Sequence, residues 1–149
     1  MKSIKLTGGI ILALEFIYGT DMLKPKLNCM RNSKEGTVGY EVAKMLDKQR
    51  YRLIPKFENH DLKHIILDYE MTMLDEIRMQ AYLVGNGNLT IACLVFLSLG
   101  FFYPKIWKDL PKEYRQGQIS KSIHYLTLDY CMDKQLADIK NEYRQKIID

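Results

Sequence analysis

The sequence predicts an all-α fold, read as one helical domain over residues 1–149. Three observations carry that expectation. Apolar residues recur at helical spacing in most segments, no run of useful length alternates with period two, and no internal repeat is present. A chain of 149 residues that is 47% apolar has material for one real core and too little for two.

The elements follow in order. Ile10, Ala13, Leu14 and Ile17 fall on one helical face, and Gly19 with Asp21 marks its end. Between about Leu23 and Gly36 the apolar rhythm is lost while Pro25, Asn28, Asn32, Ser33 and Gly36 accumulate, so a long loop is expected. A helix then starts near Thr37 and carries Val38, Val42, Met45 and Leu46 on one side. Lys44, Lys48, Arg50, Arg52 and Lys56 make a basic patch that reads first as a solvated surface. After Pro55 and Phe57 comes a helical stretch in which His60, His64 and Leu67 share a side. Thr72 with Asp75 three residues later has the form of a capping box, which predicts a new helix from Met73 through Ile77, Met79, Tyr82 and Leu83. Gly85, Asn86, Gly87 and Asn88 predict a turn. Leu89 to Tyr103 is uncharged and stops at Pro104, short of the roughly 20 residues that a spanning helix needs, so a buried core helix is expected there, with a surface-docked or lipid-contacting helix as the second reading. Met132, Leu136, Ile139, Tyr143 and Ile147 form the apolar stripe of one closing helix.

Composition excludes several classes. A net charge of +4 is small for a dedicated nucleic-acid binder, and ordinary apolar content excludes intrinsic disorder. Cys29, Cys93 and Cys131 are odd in number and widely spaced, so neither a disulfide framework nor a cysteine zinc site is indicated, and a reducing compartment is expected. Lys2 and Lys5 ahead of Ile10 to Leu14 faintly resemble a signal peptide, but Glu15 interrupts the apolar stretch and no small-residue cleavage site follows.

Chemistry concentrates at His60-Asp61-Leu62-Lys63-His64. Residues four apart on a helix lie about 40° apart and one turn up, so both imidazoles can address one atom. From Glu58 to Glu76 six acidic residues, Glu58, Asp61, Asp68, Glu70, Asp75 and Glu76, face a single base, Lys63, as expected around a divalent cation. Asp61 offers an oxygen ligand or a partner to the imidazoles. Glu76 follows His64 by roughly 18 Å of continuous helix, so it joins them only if the chain folds back between Asp68 and Thr72, where the capping signal puts a break. That arrangement sets a metal site between two consecutive helices. Spacing alone leaves a second reading open, in which the histidines and carboxylates are simply a solvated face.

The pattern His60-Asp61-x-x-His64, then 11 residues, then Glu76 resembles the HDxxHx11E signature of the coenzyme Q (ubiquinone) biosynthesis protein four family. Glu35-Gly36-Thr37-Val38-Gly39 is similar to that family's EG(S/T)-x-G helix start, and Tyr114-Arg115-Gln116-Gly117 and Tyr130 to Tyr143 look like its closing helices. The resemblance implies that His60, Asp61, His64 and Glu76 bind one metal, zinc by family usage. It also implies an all-helical lipid-binding protein peripheral to a membrane, prenylated aromatic or other isoprenoid substrates, and other quinone-biosynthesis proteins as partners. The activity implied is oxidative removal of the ring carboxylate of a prenylated hydroxybenzoate, with hydroxyl in its place. Asp61 as a general base is the alternative to Asp61 as ligand. A non-catalytic, metal-stabilised scaffold that presents lipid to partner enzymes is the alternative to catalysis. A cytoplasmic site or the inner face of a membrane is expected, with no nucleic acid as partner and with self-association into a homo-oligomer open. Asp68 and Asp75 depart from the family, which commonly has glycine there. A phosphohydrolase of the HD type is disfavoured, because no histidine precedes His60. His124 reads as a partly buried structural histidine, and Phe101, Phe102, Tyr103 and Trp107 as core or interface aromatics.

Overall fold

The computed structural model describes residues 13, 16–19 and 21–143. Among them the regular elements are α1 (Lys24–Arg31), α2 (Val38–Gln49), α3 (Glu58–Leu67), α4 (Met73–Gly85), α5 (Ile91–Leu99), α6 (Leu110–Gln118), α7 (Leu128–Cys131) and α8 (Leu136–Tyr143), with 3-10 turns at Asp21–Leu23, Gly100–Phe102 and Pro104–Ile106. The expected all-α class holds. No strand occurs among the described residues, only an isolated antiparallel bridge between Thr37 and Gln135. Of the N-terminal stripe, Ala13 and Ile17 are helical and exposed, whereas Ile10 and Leu14 lie outside the described residues, as do Lys2, Lys5, Glu15 and Ile147.

The chain forms two compact units, one from residues 1–68 and 126–139, the other from 69–125 and 140–149. In the first, α2 packs on α1 and α3, and α7 packs on α2 and α3. Helix α1 corrects the expected loop over Leu23 to Gly36. Pro25 stands in its first turn, where a missing N–H costs nothing, and Leu27 and Met30, three apart, are buried. A stripe of two residues is too short to register as a period. Thr37 caps α2 by accepting the Tyr40 N–H at 3.4 Å, and Val38, Val42, Ala43 and Leu46 are buried along it. The helix closes with Arg50 in the left-handed region (φ 59°) while the Tyr51 N–H reaches the Leu46 carbonyl at 2.9 Å.

The expected closing helix is broken. Met132 and Lys134 turn their carbonyls to the first N–H groups of α2: Val38 donates to Lys134 at 2.9 Å and Gly39 to Met132 at 2.8 Å, while Leu136 donates to the Gly36 carbonyl at 2.9 Å. Carbonyls used in this way cannot continue a helix, so of the apolar stripe Met132 falls in the linker after α7, and Leu136, Ile139 and Tyr143 fall in α8. A Cβ at Gly39 would stand 3.1 Å from the Met132 oxygen, which is the steric reason for a glycine in that stretch.

In the second unit α4 packs on both α5 and α6. Thr72 caps α4 by accepting the Asp75 N–H at 3.2 Å, as the capping signal predicts, but the Asp75 carboxylate accepts from the Glu70 N–H at 3.3 Å instead of closing the box on Thr72. At the far end α4 meets α6 backbone to backbone. A Cβ on Gly85 would collide with the Tyr114 carbonyl, and one on Gly117 with the Tyr82 carbonyl. Asn86, in the predicted turn, is buried there. Its amide donates to the carbonyls of Gly117 (3.0 Å), Ser120 (3.2 Å) and Lys121 (3.2 Å), and its oxygen accepts the Ile123 N–H (2.9 Å).

The apolar run corrects the expectation most. Helix α5 is not a core helix: Phe96, Leu97 and Leu99 pack, partly buried, against the Met73, Ile77 and Ile106 cluster, and only Cys93 in α5 is fully buried among the side chains described. Ile91 is 82% exposed, Phe101 73% and Phe102 74%, and Leu94 and Val95 are also exposed. Trp107, half-exposed, donates its indole N–H to the Gly100 carbonyl at 2.9 Å, which gives the aromatic end of the run a fixed shape. Among the described residues no helix is long and apolar enough to cross a membrane.

Candidate metal centre

Helix α3 presents both histidines. Leu62, Ile65 and Ile66 anchor it, and Asn59 in its first turn accepts the Leu128 N–H at 2.9 Å, tying it to the start of α7. The Phe57 carbonyl receives the His60 N–H at 2.9 Å and the Asp61 N–H at 3.1 Å, which fixes the first turn. The two imidazoles then meet edge to face, with Nε2 to Nε2 at 3.2 Å and ring centroids 4.9 Å apart at 80°. His64 is fully buried and His60 half-buried.

One donor atom from each of His60, His64 and Glu76 lies within 4.8 Å of the others, and these three form the candidate metal group among the described residues. The donor set fits a divalent ion. Two ligands at 2.0–2.1 Å from a tetrahedral centre stand about 3.3 Å apart, close to the histidine separation, and a carboxylate brings the negative charge that two neutral imidazoles lack. Glu76 is 5% exposed, and a buried carboxylate needs such company. Asp61 lies outside this group of three. It is buried at 6% exposure, about 100° around α3 from His60.

Spacing did not single out Gln80. It is buried one turn after Glu76 on α4, and its Nε2 donates to Glu76 Oε1 at 2.5 Å. The i, i+4 relation to Glu76 was the available signal. The other acidic residues near the histidines are arranged differently from a shared cage. Asp75 is bound to Arg78 at 2.8 Å, and Arg78 also reaches Asp109 at 3.0 Å, so its charge is offset locally. Asp68 ends α3 in the left-handed region (φ 60°), a conformation that glycine adopts without strain.

The fold has a solved counterpart. It is similar to the crystal structure of a protein from Nostoc punctiforme PCC 73102 provisionally assigned to ubiquinone biosynthesis, with a TM-score of 0.59 and 20% identity, covering 91% of this chain and 79% of that one. No family model matches the chain, and no curated protein does. At that identity the likeness establishes the fold.

A separate feature of the second unit is a pocket of about 390 Å³ lined mainly by apolar side chains, among them Ala81, Val84, Leu97, Trp107 and Leu110, with Arg115 on its wall. Three of these come from the uncharged span between Met79 and Pro104. His124 is exposed, contrary to the expected partial burial, with Nδ1 2.6 Å from Ser122 Oγ, and among the described residues it belongs to no metal-type group. In the basic patch Lys48 and Arg50 are exposed, and Lys44 stands 3.6 Å from Glu41, in keeping with a solvated surface.

Proposed function

We propose that this chain is a metal-binding protein of quinone biosynthesis, one functional domain that holds a single divalent ion and acts on a prenylated aromatic acid. The observation that carries this reading is the 3.2 Å approach of the two histidine Nε2 atoms beside a buried carboxylate. The HDxxHx11E resemblance and the fold shared with the Nostoc protein support it. His60, His64 and Glu76 are the ligands, with Asp61 as a fourth ligand or as a general base. The resemblance favours zinc. Such an ion, when bound, supplies a Lewis acid and a template for carboxylate and phenolate oxygens.

The protein's own groups do the rest. Neutral imidazoles of His60 and His64 donate lone pairs, Glu76 balances charge, and the apolar pocket with Arg115 on its wall suits a prenyl chain carrying an anionic group. The reaction is replacement of the ring carboxylate by hydroxyl: the ring–carboxyl bond breaks, carbon dioxide leaves, and dioxygen from outside the chain is the oxidant and the source of the hydroxyl oxygen. The exposed apolar face of α5 favours a location at a membrane surface or against other quinone-pathway proteins, and it is the specific reason for keeping a non-catalytic lipid-presenting scaffold as a second reading.

Elemental analysis after dialysis against a chelator buffer tests the metal. Wild type is expected to retain about one divalent ion, and His64→Ala to bind at least about a hundredfold more weakly. Equal metal in both proteins would overturn the site. Release of labelled carbon dioxide from a carboxyl-labelled prenylated hydroxybenzoate tests the reaction, and its absence from metal-loaded protein that binds the lipid would favour the scaffold.

A further inference from the structure

Helix α5 and the 3-10 turn after it have two sides. Phe96, Leu97 and Leu99 pack inward on the cluster of Met73, Ile77 and Ile106. Ile91, Leu94 and Val95 fall at i, i+3 and i+4 on the outer side, Ser98 continues the row, and Phe101 and Phe102 carry it past the end of the helix; all of these are exposed. The Phe101 ring stands 6.0 Å from that of Phe102 and 6.1 Å from that of Trp107, so the row ends in neighbouring aromatic rings. Charge beside this row has one sign. No Asp or Glu lies between Glu76 and Asp109, whereas Lys105 and Lys108 flank Trp107, Lys112 follows in the first turn of α6, and these lysines are exposed. The next carboxylates are engaged, Asp109 with Arg78 at 3.0 Å and Glu113 with the Tyr69 hydroxyl.

We propose that this row docks on an anionic lipid surface: α5 lies in the plane of the interface with its outer side toward the acyl chains, and Lys105, Lys108 and Lys112 meet the headgroups. Charge complementarity favours lipid over a partner protein. Lysine is depleted from protein interfaces but is drawn to anionic headgroups, and an apolar row with an aromatic edge and a lysine rim is the pattern of a helix lying on a bilayer. The row also offers a protein little to pair with, since Ser98 bonds the Val95 carbonyl at 2.7 Å and the Trp107 indole N–H bonds that of Gly100. The inference rests on the membrane-surface placing given above and uses no metal ligand.

Vesicle flotation of the full chain tests it, with the emission of Trp107, the one tryptophan in the sequence, as an internal reporter. On vesicles of equal parts phosphatidylcholine and phosphatidylglycerol, wild type is expected to float, to shift its emission to the blue, and to come off as salt is raised. Phosphatidylcholine alone should bind at least about tenfold more weakly. Lys105→Glu with Lys108→Glu should lose about thirtyfold on the anionic vesicles, at about fivefold for each lysine. Lys44→Glu with Lys48→Glu alters the net charge equally on the other unit and should leave binding and the emission shift in place. Ile91→Ser with Leu94→Ser should weaken binding to both kinds of vesicle with the thermal melt little changed. Wild type that ignores the anionic vesicles, flotation with no change at Trp107, or equal losses from the two lysine pairs overturns the proposal. A dimer of wild type that Ile91→Ser with Leu94→Ser separates, without vesicle binding, gives the face to a second copy and overturns it too. Metal content is measured apart, so failure here leaves the metal site standing, and loss of the metal site leaves this surface standing.

Discussion

Helices α5 and α6 both pack on α4, and they do so by opposite means. The sequence of α6, Leu-Pro-Lys-Glu-Tyr-Arg-Gln-Gly-Gln, is polar, yet it comes so close to α4 that Gly85 and Gly117 each face the other helix's carbonyl with no room for a methyl group. Polar bonds then lock the approach: Asn86 to three carbonyls and an N–H, Arg78 to Asp109, and the Tyr69 hydroxyl to Glu113 at 2.5 Å. Helix α5, Ile-Ala-Cys-Leu-Val-Phe-Leu-Ser-Leu, is apolar all round and meets α4 with one side only. Closeness here is set by what the backbone permits and by which polar groups find partners. Hydropathy alone misplaces both helices.

The largest expected effect lies at the tight crossing. Gly117→Ala has to part α4 from α6 and disturb the Asn86 bonds at the same time, for a loss of about 3 kcal/mol in urea unfolding. Gly87→Ala is the control: a Cβ there meets nothing within 4 Å, and only the φ of +87° is strained, for about 1 kcal/mol. Equal losses in the two variants would remove the steric account. A smaller effect is expected at Tyr69, whose phenol is held well above the usual tyrosine range, by burial first and then by the Glu113 carboxylate. A raised folded pKa contributes stability that is complete below the unfolded value of about 10 and is lost as pH rises beyond it. Tyr69→Phe should cost about 2 kcal/mol near neutrality, and its stability should fall less steeply than wild type between pH 10 and 11.5. Thermal melts across that window compare the slopes. The smallest effect is expected on α5. Ile91→Ser with Leu94→Ser should change stability by no more than about 0.5 kcal/mol, since both side chains are already exposed, and a loss above 2 kcal/mol would mean that this face is covered in solution.

Legibility in the sequence follows the range of the forces involved. The starts of α2 and α4 were readable at Thr37 and Thr72, because a cap is a contact three residues long. The histidine pair was readable for the same reason, as i, i+4 neighbours on one helix. Helix α1 was hidden by Pro25, which argues against a helix only beyond the first turn. The break between α7 and α8 was invisible, since the groups that take the Met132 and Lys134 carbonyls are the N–H groups of Gly39 and Val38, far away in sequence. The exposure of α5 was legible only as the second of two readings, because an apolar run reports affinity for an apolar phase and not where the rest of the chain leaves one. Gln80 lay within reach of local reasoning, but it attracted no attention without knowledge that both it and Glu76 are buried.

The pairing of Gly36, Val38 and Gly39 with Met132, Lys134 and Leu136 has a consequence for the order in which the molecule is made. The first turn of α2 emerges from a ribosome long before the carbonyls that satisfy it, so during synthesis those N–H groups wait on water. Contacts between such distant positions carry a loop-closure cost that is repaid late, which slows folding in proportion to how non-local they are. The part of α2 that packs on α7 is therefore covered only once residues near Gln135 have been made, whereas its faces toward α1 and α3 find their partners early in synthesis.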